Sequence, residues 1–148
     1  MVSPAEHSRI RLPYSCIIVP RFQDTDAYGV MHHSSYYVWF EEARFQFARE
    51  ILQFQDPLLQ GEEVRFPVIE SCCRYKSPVR YGDSIKLGLV FELGSAARIK
   101  FEYKAFNEQS GKICAEGYTV HVFSDRENRI LLNIPEWLQQ RAEAALQV

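Results

Sequence analysis

The sequence predicts an α+β fold in which one antiparallel sheet curls around a single central helix. Three observations predict it. A strand-like segment comes first, a helical stretch that is apolar on most of its sides follows, and the segments from residue 64 to 124 repeat with a period of two. The 148 residues fit one domain and can bury a real core without disulfide or metal staples. The expected division is a loose tail over 1–13 and one folded domain over 14–148.

The opening residues are polar and irregular, which is the signature of a tail. Tyr14 to Phe22 reads as the first strand, carrying Cys16-Ile17-Ile18-Val19, and a turn-rich run, Asp24-Thr25-Asp26-Ala27-Tyr28-Gly29, follows it. From Ser34 to Phe54 the pattern is helical. Ser34 or Ser35 offers an N-cap oxygen, and no Gly or Pro interrupts before Pro57. Tyr36, Phe40, Ala43, Phe47 and Ile51 share one stripe, while Tyr37, Trp39 and Phe45 put aromatic rings on other sides, so the helix should be buried all round. After Gly61 come strands at Val64 to Pro78, Ser84 to Leu93 and 97–105. In the last of these Ala97, Ile99, Phe101, Tyr103 and Ala105 alternate with Arg98, Lys100, Glu102 and Lys104. Asn107 to Gly111 reads as a hairpin loop and Lys112 to Ser124 as its return strand, which makes four strands in hairpin succession. Pro135 suits the first turn of a last helix through Leu146.

Composition excludes several functions. With 17 basic against 19 acidic side chains the net charge is -2, so the chain lacks the basic surplus of a general nucleic-acid or anionic-membrane binder. No apolar run approaches the ~20 residues of a membrane helix. The first residues lack the apolar centre of a signal peptide, and the expectation is a soluble, cytoplasmic protein without a membrane span. Cys16, Cys72, Cys73 and Cys114 form no C-x-x-C pair, which fits reduced thiols better than a zinc site or a disulfide. Seven aromatics fall between Tyr36 and Phe54. A small curled sheet with such a helix has too much apolar surface to stand alone, which predicts a homodimer or homotetramer with its active site near the subunit seam.

The chemistry concentrates in Asp24-Thr25-Asp26-Ala27-Tyr28-Gly29-Val30-Met31-His32-His33-Ser34-Ser35-Tyr36. This run joins a strand end to the start of an apolar helix, where free backbone N–H groups and a positive dipole end face whatever binds. An acyl carbonyl oxygen gaining negative charge would be stabilised there. A carboxylate beside it could attack the carbonyl or draw a proton from water. On spacing alone the run is also a plain turn, with Asp24 and Asp26 accepting local N–H bonds. A calcium loop begins D-x-D but would need ligands where Tyr28 and Ser35 stand, so that reading fails. A metal on Asp26, His32 and His33 lacks any H-E-x-x-H pair. His121, on the last strand, reads as a satisfied structural histidine, and His7 lies in the tail.

The run Arg21-Phe22-Gln23-Asp24-Thr25-Asp26-Ala27-Tyr28-Gly29-Val30-Met31-His32-His33-Ser34-Ser35-Tyr36, followed by Phe40-Glu41-Glu42-Ala43-Arg44, resembles the 4-hydroxybenzoyl-CoA thioesterase family of hotdog-fold acyl-CoA thioesterases, with most likeness to its small acyl-CoA branch in bacteria. The likeness continues through Tyr75-Lys76-Ser77-Pro78-Val79-Arg80-Tyr81-Gly82-Asp83 and covers Tyr14 to Pro135. It implies the hotdog fold, a curled five-stranded sheet around one long helix, paired into dimers and commonly tetramers. It also implies that Asp26 is the catalytic carboxylate, as nucleophile or as base toward water. His33 would be an acid/base or water-orienting group whose backbone N–H faces the thioester oxygen. Asp24 and Glu41 match as structural groups, a turn cap and a helix-surface partner for Arg44.

Substrate contacts are expected from Tyr28, Gly29, Val30, Met31, His32 and Tyr36. Tyr28 and His32 depart from the small and aromatic residues common in the family and would reshape the pocket mouth. Tyr36, Tyr37, Trp39 and Phe40 could line an apolar acyl slot, although core packing accounts for them equally well. Arg80, Arg98 and Lys100 are candidate partners for the phosphates of coenzyme A, a solvated strand face being the alternative. The expected activity is hydrolysis of a small or medium acyl or aroyl thioester of CoA, with water as the only co-reactant and no cofactor or metal. The alternatives are an acyl-carrier-protein thioesterase and, further off, a non-catalytic acyl-CoA binder or an acyl-thioester hydratase.

Overall fold

The computed structural model describes residues 9–53, 64–94 and 96–147. Along the chain run β1 (Ile10–Ile18), a 3-10 turn (Phe22–Asp24), α1 (Ser35–Glu50), β2 (Val68–Tyr75), β3 (Ile85–Leu93), β4 (Arg98–Asn107), β5 (Ile113–Ser124), β6 (Ile130–Leu131) and α2 (Glu136–Leu146). The fold is α+β, one curled antiparallel sheet packed against a helix, as the hotdog resemblance implied. Strand order is β1-β3-β4-β5-β2, with the short β6 pairing β5.

Period-two alternation decides which face is inside. Ile85, Leu87, Leu89, Phe91 and Leu93 of β3 are buried, as are Ile99, Phe101, Tyr103 and Ala105 of β4. The stripe on α1 meets them. Phe47 packs 5.2 Å from Phe91 and 5.8 Å from Phe101, ring centre to ring centre, and Phe40 stacks on Tyr103 at 4.1 Å. Each such buried ring contributes about 2–3 kcal/mol of transfer free energy. Gly117 is needed where three surfaces converge, since a Cβ there would stand 2.3 Å from the Cys72 carbonyl oxygen and 3.1 Å from the Phe40 ring.

A polar chain runs through this core. The Nη1 of Arg44 donates to the Tyr103 hydroxyl at 3.0 Å. Tyr103 and Thr119 are 2.7 Å apart, Thr119 and His121 Nε2 2.9 Å, and His121 Nδ1 and the Phe66 carbonyl 3.0 Å. A carbonyl can only accept, so Nδ1 carries the proton and Nε2 accepts from Thr119. Thr119 then accepts from Tyr103, so that each of the two hydroxyls donates once and accepts once. His121 is the satisfied structural histidine that the sequence suggested.

Several boundaries differ from expectation. β1 starts at Ile10, not Tyr14, because Ile10 and Leu12 are buried opposite Leu93 and Phe91. Pro13 is tolerated within it because β1 lies at the edge of the sheet. Residues 1–8 of the expected tail, and Phe54, Pro57 and Gly61, lie outside the described residues. Neither candidate N-cap serine caps α1 with its side chain: Ser34 Oγ meets the His32 ring, and Ser35 Oγ donates to the Asp24 carbonyl. The helix is buried on one side only in the single chain, with Val38 and Phe45 exposed. The four later strands do not follow as successive hairpins, because β2 pairs with β5 and the chain crosses the sheet to reach β3. The four cysteines are free. Among the described residues no helix is long and apolar enough to cross a membrane.

Candidate active site

Asp24 and Asp26 are two residues apart and do different work. Asp24 is buried; its carboxylate accepts from the Arg21 backbone N–H at 2.8 Å and from the Arg21 guanidinium at 3.3 Å. Its carbonyl accepts both the His32 N–H and the Ser35 hydroxyl at 2.9 Å, which fastens the helix start to the turn. The expected structural role fits these bonds.

Asp26 begins a tight turn. Its N–H donates to the Val30 carbonyl and its carbonyl accepts from Gly29 N–H, with Gly29 at φ +77, a conformation that favours glycine. Its Oδ1 accepts the Tyr28 N–H at 2.8 Å. Among the described residues Oδ2 has no hydrogen-bond partner. The Met31 N–H donates to the Val79 carbonyl at 2.7 Å, which ties the far side of the turn to the segment after β2.

The junction then uses up its polar groups one by one. Ser35 N–H donates to the His32 carbonyl, Ser34 N–H to His32 Nδ1, and the Tyr75 hydroxyl to the His33 carbonyl at 2.9 Å. Among the described residues the His33 N–H has no acceptor. The His33 ring is exposed and stacks on His32 at 4.2 Å. A half-buried carboxylate with one unengaged oxygen thus stands in the same short loop as the unengaged His33 N–H, at the start of a sixteen-residue helix. Among the described residues the Ala27 and Tyr36 N–H groups of this run also have no acceptor.

The remaining candidates divide. Tyr28 is 89% exposed at the tip of the turn, Gly29 is exposed, and Val30 and His32 are half-buried, so all four can meet an incoming molecule. Met31 and Tyr36 are buried and offer a substrate little side-chain surface. Tyr36 packs edge-on against both Trp39 and Tyr75 at 5.3 Å, and burial pushes its phenol pKa well up. Arg80 follows Val79 and is exposed at the same end of the sheet. Arg98 and Lys100 are not brought there. They open β4, and its other end, Asn107, is the one bonded to Asp83 beside Arg80. At about 3.3 Å per residue, Lys100 stands roughly 23 Å along the strand from Asn107. Lys100 instead pairs with Glu102 and lies 5.1 Å from the centre of the Tyr118 ring. Arg44 does not reach Glu41; it donates to Tyr103 across the core.

Two groups escaped sequence reasoning. Tyr75 ends β2 and reaches the helix junction, and the Lys76-Ser77-Pro78 after it was the available sign of a strand end beside the loop. The buried relay from Arg44 to His121 has no local pattern, because its members come from four separated segments.

A profile of the thioesterase-like superfamily matches residues 20–142. The chain belongs to this superfamily. It is a thioester hydrolase, and the junction described above is the candidate active site of this thioesterase. It is 34% identical over 88 residues to a putative esterase of Aquifex aeolicus, covering 60% of this chain and 68% of that one. It is 29% identical over 133 residues to the 1,4-dihydroxy-2-naphthoyl-CoA hydrolase of a Synechococcus strain, covering 85% and 86%. Among solved structures, the DHNA-CoA thioesterase of Staphylococcus aureus superposes with a TM-score of 0.77 at 25% identity, covering 91% of each chain.

Proposed function

We propose that this thioesterase hydrolyses a small or medium acyl- or aroyl-CoA thioester to the free acid and CoA, as a cytoplasmic homodimer or homotetramer of the 4-hydroxybenzoyl-CoA thioesterase type. One observation carries the reading: the unengaged Oδ2 of Asp26 and the unengaged N–H of His33 share one rigid loop at the start of α1. The names of two relatives, both hydrolases of an aromatic CoA ester, support the substrate class.

In the reaction the His33 N–H and the dipole of α1 receive the thioester oxygen as it gains charge. Asp26 either attacks the carbonyl carbon, giving a mixed anhydride that water then cleaves, or takes a proton from the water that attacks. By either route the C–S bond breaks, the sulfur leaves with a proton as the CoA thiol, and water supplies the oxygen of the acid. In this reading the exposed His33 imidazole carries the proton. Tyr28, Gly29, Val30 and His32 form the mouth, with Tyr36 behind them, and Arg80 attracts a phosphate of coenzyme A.

The direct test is a panel of acyl-CoA esters and matched acyl-carrier-protein esters, read by release of free thiol. Turnover of acyl-CoA above that of the carrier esters is expected. Preference for the carrier would move the assignment to an acyl-carrier thioesterase, and no hydrolysis of either would overturn it.

A further inference from the structure

We infer that Tyr75 is a positioning residue for hydrolysis: its hydroxyl, by holding the His33 carbonyl, fixes the direction of the His33 N–H that receives the thioester oxygen. The inference rests on the proposed role of that N–H and adds a residue from another element to it.

The direction of the His33 N–H depends on two peptide planes. The plane between His32 and His33 contains the N–H itself and is held through the His32 carbonyl, which accepts from Ser35 N–H at 3.0 Å. The plane between His33 and Ser34 is held at both of its polar atoms. Its N–H donates to His32 Nδ1 at 3.1 Å, and its carbonyl accepts the Tyr75 hydroxyl at 2.9 Å. All of these restraints except Tyr75 are local to the turn. Tyr75 belongs to β2 and is itself fixed by pairing with Ala115 of β5 and by its ring against Tyr36 at 5.3 Å, so it refers the loop to the rigid sheet. A donor at the His33 carbonyl also polarises that peptide. An oxyanion donor works to the extent that it needs no reorganisation when charge develops, and the sheet-borne hydroxyl supplies that rigidity. Partial desolvation and the nearby Cys73 thiol push the Tyr75 phenol up to about 12 although the residue is 49% exposed, so it is a donor at neutral pH.

The experiment is Tyr75→Phe, which keeps the ring against Tyr36 and removes one hydrogen bond, beside Asp26→Asn in the same assay. Tyr75→Phe should lower kcat about fivefold by loosening the His33 N–H, with KM unchanged and at most a small fall in thermal midpoint from the one lost hydrogen bond. The carbonyl stretch of a bound, unreactive ketone analogue of the acyl-CoA should move to higher frequency in the variant, a change that mere loss of packing would not cause. Wild-type kcat with an unmoved carbonyl stretch would overturn the role of Tyr75. So would a loss confined to KM or to stability. If Asp26→Asn retains full turnover, the reading of Asp26 fails, and the carbonyl stretch still decides Tyr75 separately.

Discussion

Helix α1 is bonded to two polar clusters, one at its start and one at Arg44, and they are built by opposite rules. The Arg44–Tyr103–Thr119–His121–Phe66 chain is buried through most of its length, and among the described residues every buried side-chain polar atom has a hydrogen-bond partner. The Asp26–His33 junction lies in partly exposed chain and holds its backbone just as firmly, yet leaves a carboxylate oxygen and an amide N–H unengaged. A complete network stabilises and cannot react, because any new partner must displace an old one. An incomplete one, held rigid from outside, is ready to bind charge.

The largest effect should come from breaking the junction. Asp26→Asn keeps an oxygen to accept the Tyr28 N–H, so the turn should persist and the unfolding midpoint stay within about 0.5 kcal/mol of wild type. Its kcat should fall by at least about 100-fold, the scale of a lost catalytic base or nucleophile. Breaking the relay should do the reverse. Thr119→Val strands the Tyr103 hydroxyl and His121 Nε2 in the core and should cost about 2–4 kcal/mol in denaturant unfolding. The kcat of the protein that remains folded should change by less than about twofold.

Acid sharpens the same contrast. Burial brings the His121 pKa down to about 4, with Arg44's charge adding to the fall and the Phe66 hydrogen bond opposing it. Between its ordinary 6.5 and about 4 the unfolded chain takes up a proton that the folded one refuses. Stability is therefore lost as pH falls through that window, by up to about 3 kcal/mol, and none of this loss occurs above it. Unfolding measured at pH 7 and pH 4.5 should show the slope, and His121→Gln should flatten it. The smallest effect is expected at the turn tip. Tyr28→Ala leaves the backbone N–H that caps Asp26, so stability should stay within about 0.5 kcal/mol while KM for the acyl-CoA rises.

These clusters also differ in how far the sequence disclosed them. Alternation through Ile99, Phe101, Tyr103 and Ala105, and the stripe through Tyr36, Phe40, Ala43 and Phe47, marked the inner faces of sheet and helix, because burial repeats with the period of the element. The Asp26 loop was legible because its residues are neighbours in the chain. Strand order was not, since the pairing of β2 with β5 joins Tyr75 to Ala115 across the 39 residues between them. That gap misplaced Arg98 and Lys100: type and charge suited a phosphate, but the direction of β4 carries them to the far end of the sheet. The relay and Tyr75 were hidden for the same reason, being contacts between elements.

The central claim is that chemistry and stability reside in different clusters on one helix. Thiol release from an acyl-CoA ester, measured for Asp26→Asn and Thr119→Val beside the wild type at equal folded fraction, tests it most directly. The account predicts that Asp26→Asn folds as well as wild type and scarcely turns over, whereas Thr119→Val is destabilised and turns over normally. Undiminished hydrolysis by Asp26→Asn would contradict it.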